Sequence, residues 1–200
     1  MNLKQKAIPA IIKTAIDYSV SVFSLILLAP VMLILAISIK ISEKGPVLYS
    51  QKRVGRFGKS FNIYKLRSMH IGAENGIPLI SDKEDERITS LGRFMRKYRL
   101  DEIPNFINVL KGEMSIVGPR PEQQYFINQI VQKAPQYELL QNLKPGITSW
   151  GQVKYGYASN VDQMIERLED DLYYLKNRSL WFDLKIALCS IYIIFKGEGI

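Results

Sequence analysis

The longest hydrophobic segment of the chain runs from residue 18 to residue 39 and contains no charged side chain. An apolar stretch of about 20 residues is long enough to cross the hydrocarbon core of a bilayer as a helix. Lysines flank this stretch on both sides, at Lys4, Lys6, Lys13, Lys40 and Lys44. We therefore interpret residues 1–44 as a membrane-embedded segment.

The path of this segment through the membrane depends on Pro30, which lies near its middle and removes one helical hydrogen bond. Because basic flanks tend to stay in the cytoplasm, a simple span would export one of them. A helix that bends at Pro30 and returns to the cytoplasmic face satisfies both observations. The alternative is a single span that tolerates the proline, since neighbouring groups can satisfy the freed carbonyl.

The hydrophobic pattern of residues 45–178 predicts one mixed α/β domain. Alternating or short apolar runs predict strands at 46–54, 59–69 and 114–117. Apolar positions at helical spacing predict helices at 87–98, 101–110, 122–133, 135–142 and 160–177. Residues 70–86 are expected to form an exposed loop, and residues 143–157 a loop with a strand. Gly112 is expected to end the helix at 101–110.

The last segment, residues 179–200, is apolar and aromatic but is interrupted by Asp183 and Lys185. Its uncharged part is too short to span a bilayer. Several of its aromatic side chains suit a membrane surface, namely Trp181, Phe182, Tyr192 and Phe195. We expect a helix that lies along the membrane, with a core helix of the soluble domain as the alternative.

Composition narrows the range of functions. The 200 residues carry a formal net charge of +8, which favours an anionic partner: nucleic acid, a phosphorylated substrate or an acidic membrane surface. With Cys189 as the only cysteine, the chain forms no internal disulfide and no cysteine-based zinc site. The only histidine, His70, lies in a polar stretch typical of a surface loop, which argues against a serine–histidine–acid hydrolase.

The adjacent acids Asp101 and Glu102 follow a strongly basic stretch, RKYRL. Pro104 is tolerated only in the first turn of a helix, so the acids are expected near a helix start, where capping would explain them. Carboxylates among cations also suit a phosphoryl centre, in which an acid attacks phosphorus or holds magnesium. Arg120, held between Pro119 and Pro121, is either a phosphate clamp or a surface loop residue.

Four ordered motifs carry a resemblance to a known family. They are KLRSM (65–69), RLDEIPNFINVLKGEMSIVGPRPE (99–122), KPGITSWGQV (144–153) and DLYYLKNRSLWFDLKI (171–186). Together they resemble the bacterial sugar transferases, also called monotopic phosphoglycosyl transferases, over nearly the whole chain and in the minimal catalytic form of that family.

The resemblance implies transfer of a sugar 1-phosphate from a UDP-sugar to polyprenol (undecaprenyl) phosphate, with release of UMP. It implies that Asp101 is the nucleophile and that Glu102 is the neighbouring acid associated with magnesium and catalysis. Both acids are thus candidate magnesium ligands. The residues expected near the substrate phosphates are Lys65, Arg67, Arg96 and Arg120. Pro30 matches the family's break in a re-entrant membrane helix.

The implied setting is the cytoplasmic face of a bacterial inner membrane, where such an enzyme starts capsule, exopolysaccharide or lipopolysaccharide assembly. Its partners would be a UDP-sugar, the lipid phosphate and the bilayer, with no nucleic acid; a homodimer is compatible with the sequence. The chain departs from the family pattern at Ala29, Asn105 and Gly151. The rival hypothesis is a membrane-tethered nucleic-acid-binding protein, based on the basic and aromatic residues 51–67, although no nucleic-acid-binding fold signature is evident.

Overall fold

The computed structural model describes residues 10–73, 76, 78–81 and 85–197, so Lys4 and Lys6 lie outside the described residues. The α-helices are α1 (Ala10–Ser42), α2 (Ser90–Lys97), α3 (Asn105–Leu110), α4 (Gln124–Lys133), α5 (Trp150–Lys154), α6 (Val161–Asn177) and α7 (Leu180–Lys196). The strands are β1 (Leu48–Val54), β2 (Ser60–Leu66), β3 (Ser115–Val117) and β4 (Gly146–Thr148). The predicted mixed α/β class is confirmed.

The strands form two small sheets. β1 and β2 pair as an antiparallel hairpin in which Leu48 lies opposite Leu66. β3 and β4 pair in parallel, and a backbone bond from Gly146 to the carbonyl of Pro119 (2.9 Å) continues the contact past β3. A Cβ atom on Gly146 would lie 2.2 Å from the backbone nitrogen of Gly118, so only glycine permits this approach. The second sheet thereby sets where the turn at 118–121 begins.

Most predicted elements are present, and two differences lie between residues 135 and 157. The residues after β4 form the short helix α5, which was not predicted because five residues are too few to show helical periodicity. Residues 135–142 form a 3₁₀-helix rather than an α-helix. Gly112 adopts a left-handed φ of 77° directly after α3, and its predicted role in ending that helix is confirmed.

α1 lies against the rest of the chain along one stripe of its surface. The buried and half-buried positions of this stripe recur every three or four residues: Asp17, Ser21, Ser24, Leu28, Val31, Leu35 and Ile39. In its carboxyl-terminal half, Leu35 and Ile39 pack against Leu66 of β2 and Met95 of α2. The opposite face of α1 exposes a series of large apolar side chains.

The amino-terminal half of α1 docks through buried polar groups. Asp17, which is 6% exposed, accepts hydrogen bonds from the Ser115 hydroxyl (2.7 Å) and the Ile116 amide (3.2 Å). Lys13 forms an ion pair with Asp183 of α7 (2.6 Å between Nζ and Oδ2). Since a buried charge is costly without such partners, these bonds fix α1 against β3 and α7.

Both halves of α1 therefore contact the same globular body. Among the described residues, α1 is the one helix that is long and apolar enough to cross a membrane. The helix continues through Pro30, so a bend at that residue stays a prediction. The boundaries at residues 44 and 178 also stay predictions, although α1 ends at Ser42 and α6 at Asn177, close to them.

α7 divides its side chains between the core and the exterior. Ile186 is fully buried, and Phe182 packs against Trp150 with ring centroids 5.0 Å apart. Phe182 is thus half-buried against the core and is not the surface aromatic that the sequence suggested. Trp181 and Phe195 are strongly exposed. Each of the two expectations for this segment therefore describes one face of the helix, while its contact with a membrane stays a prediction.

Candidate active site

The acid pair lies in a tight turn between α2 and α3. α2 starts at a Thr89 cap and ends at Lys97, after which Arg99 takes a left-handed φ of 52° that reverses the chain. Residues 100–102 then form one 3₁₀ turn, closed by the bond from the Glu102 amide to the Arg99 carbonyl (3.2 Å). This left-handed arginine is a strained conformation of the kind that is concentrated at functional sites.

The sequence-based start of the second helix near Asp101 is wrong, because α3 begins at Asn105 and Pro104 precedes it. No side-chain cap is present at either the 3₁₀ turn or α3. Both acids are instead buried, with Asp101 5% and Glu102 9% exposed. The capping explanation therefore fails, and the carboxylates face cations.

Glu102 is the more strongly stabilised carboxylate of the pair. Its Oε1 lies 2.7 Å from Lys65 Nζ and 3.6 Å from Arg120 Nη1. Burial opposes its ionisation, but the charges of Lys65, Arg120 and Arg99 outweigh burial and lower its pKa well below the usual range. Glu102 is therefore ionised whenever these cations are in place.

Asp101 behaves in the opposite way. Burial raises its pKa, the charge of Glu102 raises it further, and the charges of Lys65 and Arg96 partly counteract both. The nearby cations therefore lower the pKa of Glu102 below its ordinary value but do not overcome burial at Asp101. A carboxylate that is poorly stabilised in its ionised form is a stronger nucleophile than one that is bound by cations.

Arg120 lies between two acids. Its Nη1 faces Glu102, and its Nε lies 3.9 Å from Oε1 of Glu122. Glu122 is itself buried and also binds Arg167 (2.7 Å) and Arg53 (3.3 Å). The charges of these arginines outweigh burial and lower the pKa of Glu122. Arg120 is thus a half-buried cation fixed between two acids, with its side chain 17% exposed, and not a surface loop residue.

One cavity of about 520 Å³ collects these groups. The six polar residues predicted for the site all line it: Lys65, Arg67, Arg96, Asp101, Glu102 and Arg120. Further polar lining residues were not singled out from the sequence: Arg53, Arg99, Glu122, Gln152, Tyr157 and Arg167. Arg99 and Glu122 are part of the motif at 99–122, which was a usable signal. Arg53 and Arg167 are far from this motif in the sequence, and no sequence signal pointed to them.

Gly151, one of the departures from the family pattern, lies next to residues that line or support the site. A Cβ atom there would lie 2.7 Å from Cγ of Arg167 and 2.9 Å from Oδ2 of Asp171. Asp171 accepts the Gly151 amide bond (2.9 Å), and burial raises the pKa of Asp171 to about 6. Because Arg167 holds Glu122, the absence of a side chain at Gly151 influences the cation cluster around Arg120.

The site's fit to magnesium rests on its acid pair. No group of three or more metal-ligating side chains is found among residues 10–73, 76, 78–81 and 85–197. Magnesium, however, is commonly bound through one or two carboxylates together with substrate phosphates. The ionised Glu102 next to Asp101 in a cavity rich in cations fits such a shared site, in which the substrate completes the coordination.

A long apolar helix joined to a small α/β domain, with an acid pair inside a cationic cavity, is an arrangement suited to a protein that handles phosphate esters. The family model of the bacterial sugar transferases matches residues 8–197. The chain belongs to the bacterial sugar transferase family.

Curated relatives agree with this assignment. The chain is 41% identical over 198 residues to the UDP-N-acetylgalactosamine-undecaprenyl-phosphate N-acetylgalactosaminephosphotransferase of Aeromonas hydrophila, covering 99% of this chain and 47% of that protein. It is 39% identical over 189 residues to the UDP-glucose:undecaprenyl-phosphate glucose-1-phosphate transferase of Escherichia coli (strain K12), covering 94% and 40%. A transferase of the same name from Caulobacter vibrioides is 35% identical over 181 residues, covering 90% and 68%. The chain thus spans less than half of the first two relatives.

Arg120→Lys is expected to lower kcat/KM for the phosphorylated substrate by about tenfold to a hundredfold, because lysine keeps the charge but loses the two-pronged geometry of the guanidinium. Steady-state kinetics of purified variants measure this, with membrane insertion checked by fractionation. Lys59→Arg, a change at an exposed position outside the cavity, serves as the control. If the Arg120→Ala variant showed wild-type kinetics, Arg120 would not be part of the substrate-binding site.

Proposed function

We propose that this protein transfers a sugar 1-phosphate from a UDP-sugar to polyprenol phosphate, releases UMP and so starts the assembly of a bacterial glycan. The observation that carries the proposal is the buried acid pair facing Lys65 and Arg120 in one cavity. Membership of the sugar transferase family supports it. The names of the relatives include both N-acetylgalactosamine and glucose, so the proposal does not extend to the identity of the sugar.

The proposed chemistry has two half-reactions. A carboxylate oxygen of Asp101 attacks the phosphorus that bears the sugar, and the bond from that phosphorus to the bridging oxygen breaks as UMP leaves. An oxygen of polyprenol phosphate then attacks the same phosphorus and releases Asp101. Lys65 and Arg96, which act electrostatically on Asp101, favour the ionised form that the attack requires. Arg120 offsets the negative charge of the diphosphate.

Glu102 and Asp101 are the residues that would hold magnesium together with the diphosphate. The ion would supply additional neutralisation of phosphate charge. Glu102 keeps Lys65 and Arg120 directed into the cavity by its ion pairs. Metal dependence is a separate expectation, checked by titrating chelator and magnesium against UMP release.

We place the catalytic domain on the cytoplasmic face of the inner membrane, with α1 re-entrant. The support is that Asp17 and Ile39, near opposite ends of α1, are both buried against the same body. If the globular domain stays on one side of the membrane, both ends of α1 lie on that same side. A homodimer stays a prediction.

Cysteines introduced by Lys6→Cys or Lys44→Cys, in a Cys189→Ser background, are both expected to resist an impermeant thiol reagent added to intact cells. The reason is that a re-entrant α1 keeps both flanks in the cytoplasm. Labelling after cell lysis is the positive control for reactivity. Labelling of the Lys6→Cys protein alone in intact cells would establish a full span and contradict the re-entrant arrangement.

The function itself is tested by screening UDP-sugars for UMP release in the presence of polyprenol phosphate. We expect release with at least one UDP-sugar and a matching polyprenyl-diphosphate-sugar product by mass spectrometry. The Asp101→Asn variant provides the background. Absence of UMP with every UDP-sugar, together with salt-sensitive binding to DNA or RNA, would instead favour the nucleic-acid-binding hypothesis.

A further inference from the structure

The cations of the cavity differ in their partners. Arg120, Arg53 and Arg167 all lie within ion-pair distance of Glu122, and Lys65 pairs with Glu102. The remaining two arginines of the predicted set are Arg67 and Arg96. Neither of these two forms an ion pair with any carboxylate of the described residues.

Arg67 and Arg96 line the part of the cavity whose chain neighbours contact α1. Leu66 and Met95, which directly precede them in the chain, pack against Leu35 and Ile39 of α1. Arg67 also lies beside Gly45, just beyond the end of α1, where an added Cβ atom would come within 2.5 Å of its Nη1. This end of the cavity is therefore bordered by elements that contact the apolar helix.

The polar groups at this end are arranged to receive an anion. Arg96 Nε donates to the hydroxyl of Ser68 (2.9 Å), the residue that follows Arg67, and all three residues line the cavity. Nη1 of Arg67 is buried and has no hydrogen-bond partner within the described part of the chain. Asp85 also acts electrostatically with Arg96, but its carboxylate is bound by Arg87 (2.6 Å). Two guanidinium groups and one hydroxyl suit a phosphate.

Apolar side chains border the same end of the cavity. Ile71 is 63% exposed and Leu79 is 56% exposed, and both line the cavity. Ile71 is also next to Gly45, since a Cβ atom there would lie 2.9 Å from its Cδ1. A nucleotide offers no long hydrocarbon chain to cover such residues, whereas a lipid phosphate does.

We infer that Arg67, Ser68 and Arg96 form a separate subsite for the monophosphate head of the lipid acceptor, whose hydrocarbon chain leaves the cavity past Ile71 and Leu79 toward α1. This inference rests on the proposed transfer reaction. The UDP-sugar diphosphate then occupies the side where Arg120 and Arg99 face Glu102. Asp101 acts electrostatically with Arg96, and Glu102 with Arg120, so the acid pair lies where the two phosphate groups meet.

Kinetics with the full-length protein in nanodiscs separate the two substrates. Arg67→Gln is expected to raise KM for polyprenol phosphate by about tenfold or more, the usual cost of a lost charge-assisted hydrogen bond, and to leave KM for the UDP-sugar within about twofold. A loss of UMP release in a single turnover without lipid would place Arg67 in the donor half-reaction and overturn the assignment. Arg93→Gln, which removes an exposed arginine of α2 outside the cavity, is the matched control and should change neither KM.

The hydrocarbon path is tested with Ile71→Ser, whose exposed position leaves folding intact. It should raise KM for polyprenol phosphate several-fold but leave KM for a short, water-soluble prenyl phosphate unchanged. Inorganic phosphate should compete weakly with either acceptor. Equal inhibition by inorganic phosphate and prenyl phosphate, with no effect of Ile71→Ser, would reduce the subsite to a simple anion site.

Two further results of these kinetic experiments would separate a failure of the subsite assignment from a failure of the proposed function. A rise in KM for the UDP-sugar that equals the rise for the lipid in Arg67→Gln would place Arg67 in the donor site and overturn the assignment. Failure of the wild-type protein to release UMP from any UDP-sugar would instead overturn the proposed function on which the assignment rests.

Discussion

Replacing Asp101 by asparagine is expected to abolish both turnover and the covalent sugar-phosphate adduct, with a loss in kcat of about 10⁴-fold or more. Asparagine has nearly the same size but has no carboxylate oxygen that can attack phosphorus. Intact mass spectrometry after mixing wild-type enzyme with UDP-sugar alone should show the adduct, and the variant should show none. Parallel double-reciprocal plots for the wild type are expected because the reaction proceeds in two steps.

Folding of the Asp101→Asn variant is the necessary control. Because burial raises the pKa of Asp101, a neutral amide at this position is not expected to destabilise the domain, and the thermal midpoint should be close to that of the wild type. Intersecting plots with no trappable adduct would favour direct attack by polyprenol phosphate in a ternary complex. Asp101 would then be a metal ligand or positioning group.

Glu102→Gln is expected to lower kcat by about 10²–10³-fold, the range found when a preorganised electrostatic group is removed. The neutral amide leaves Lys65 and Arg120 without the charge that now holds them at 2.7 and 3.6 Å. Both cations would then shift toward other anions, and any magnesium held by the acid pair would be lost. Single-turnover UMP release measures the chemical step directly.

Unlike Asp101→Asn, the Glu102→Gln substitution should lower the stability of the fold. The cations lower the pKa of Glu102, so its ionised form stabilises the fold at neutral pH, and this contribution disappears as pH falls through the folded-state pKa. The variant should therefore unfold at a lower temperature than the wild type at pH 7, and the difference should shrink in acid. Full activity in the variant would exclude Glu102 from catalysis.

The secondary structure of this chain was largely predictable wherever one side-chain period persisted. The uncharged stretch at 18–39 became the middle of α1, and residues 160–177 matched α6 within one residue. Such segments follow from local geometry, because a repeated apolar face favours one backbone conformation. α5 escaped prediction since its five residues are stabilised by Ser149 and Asp171 and not by its own pattern.

The candidate site was predictable to the extent that its residues share one motif. Asp101, Glu102 and Arg120 could be selected because acids among cations and an arginine between prolines are unusual locally. The roles of Arg53 and Arg167 could not be predicted from the sequence. Arg53 pairs with Glu122 across 69 positions of the chain, and Arg167 pairs with it across 45 positions. Contacts over such distances depend on how elements pack and leave no periodic trace in the sequence.

By itself, the sequence determined an apolar helix, a mixed α/β domain and an acid pair surrounded by positive charge, since each follows from residue type and spacing. Only the tertiary structure decided how these parts act on one another. It buried Asp17 against β3, although this residue stands at the edge of an apolar run, and it made Glu102 rather than Asp101 the readily ionised acid. The physical reason is that burial and the nearest opposite charge set the cost of a carboxylate, and both depend on neighbours distant in the chain.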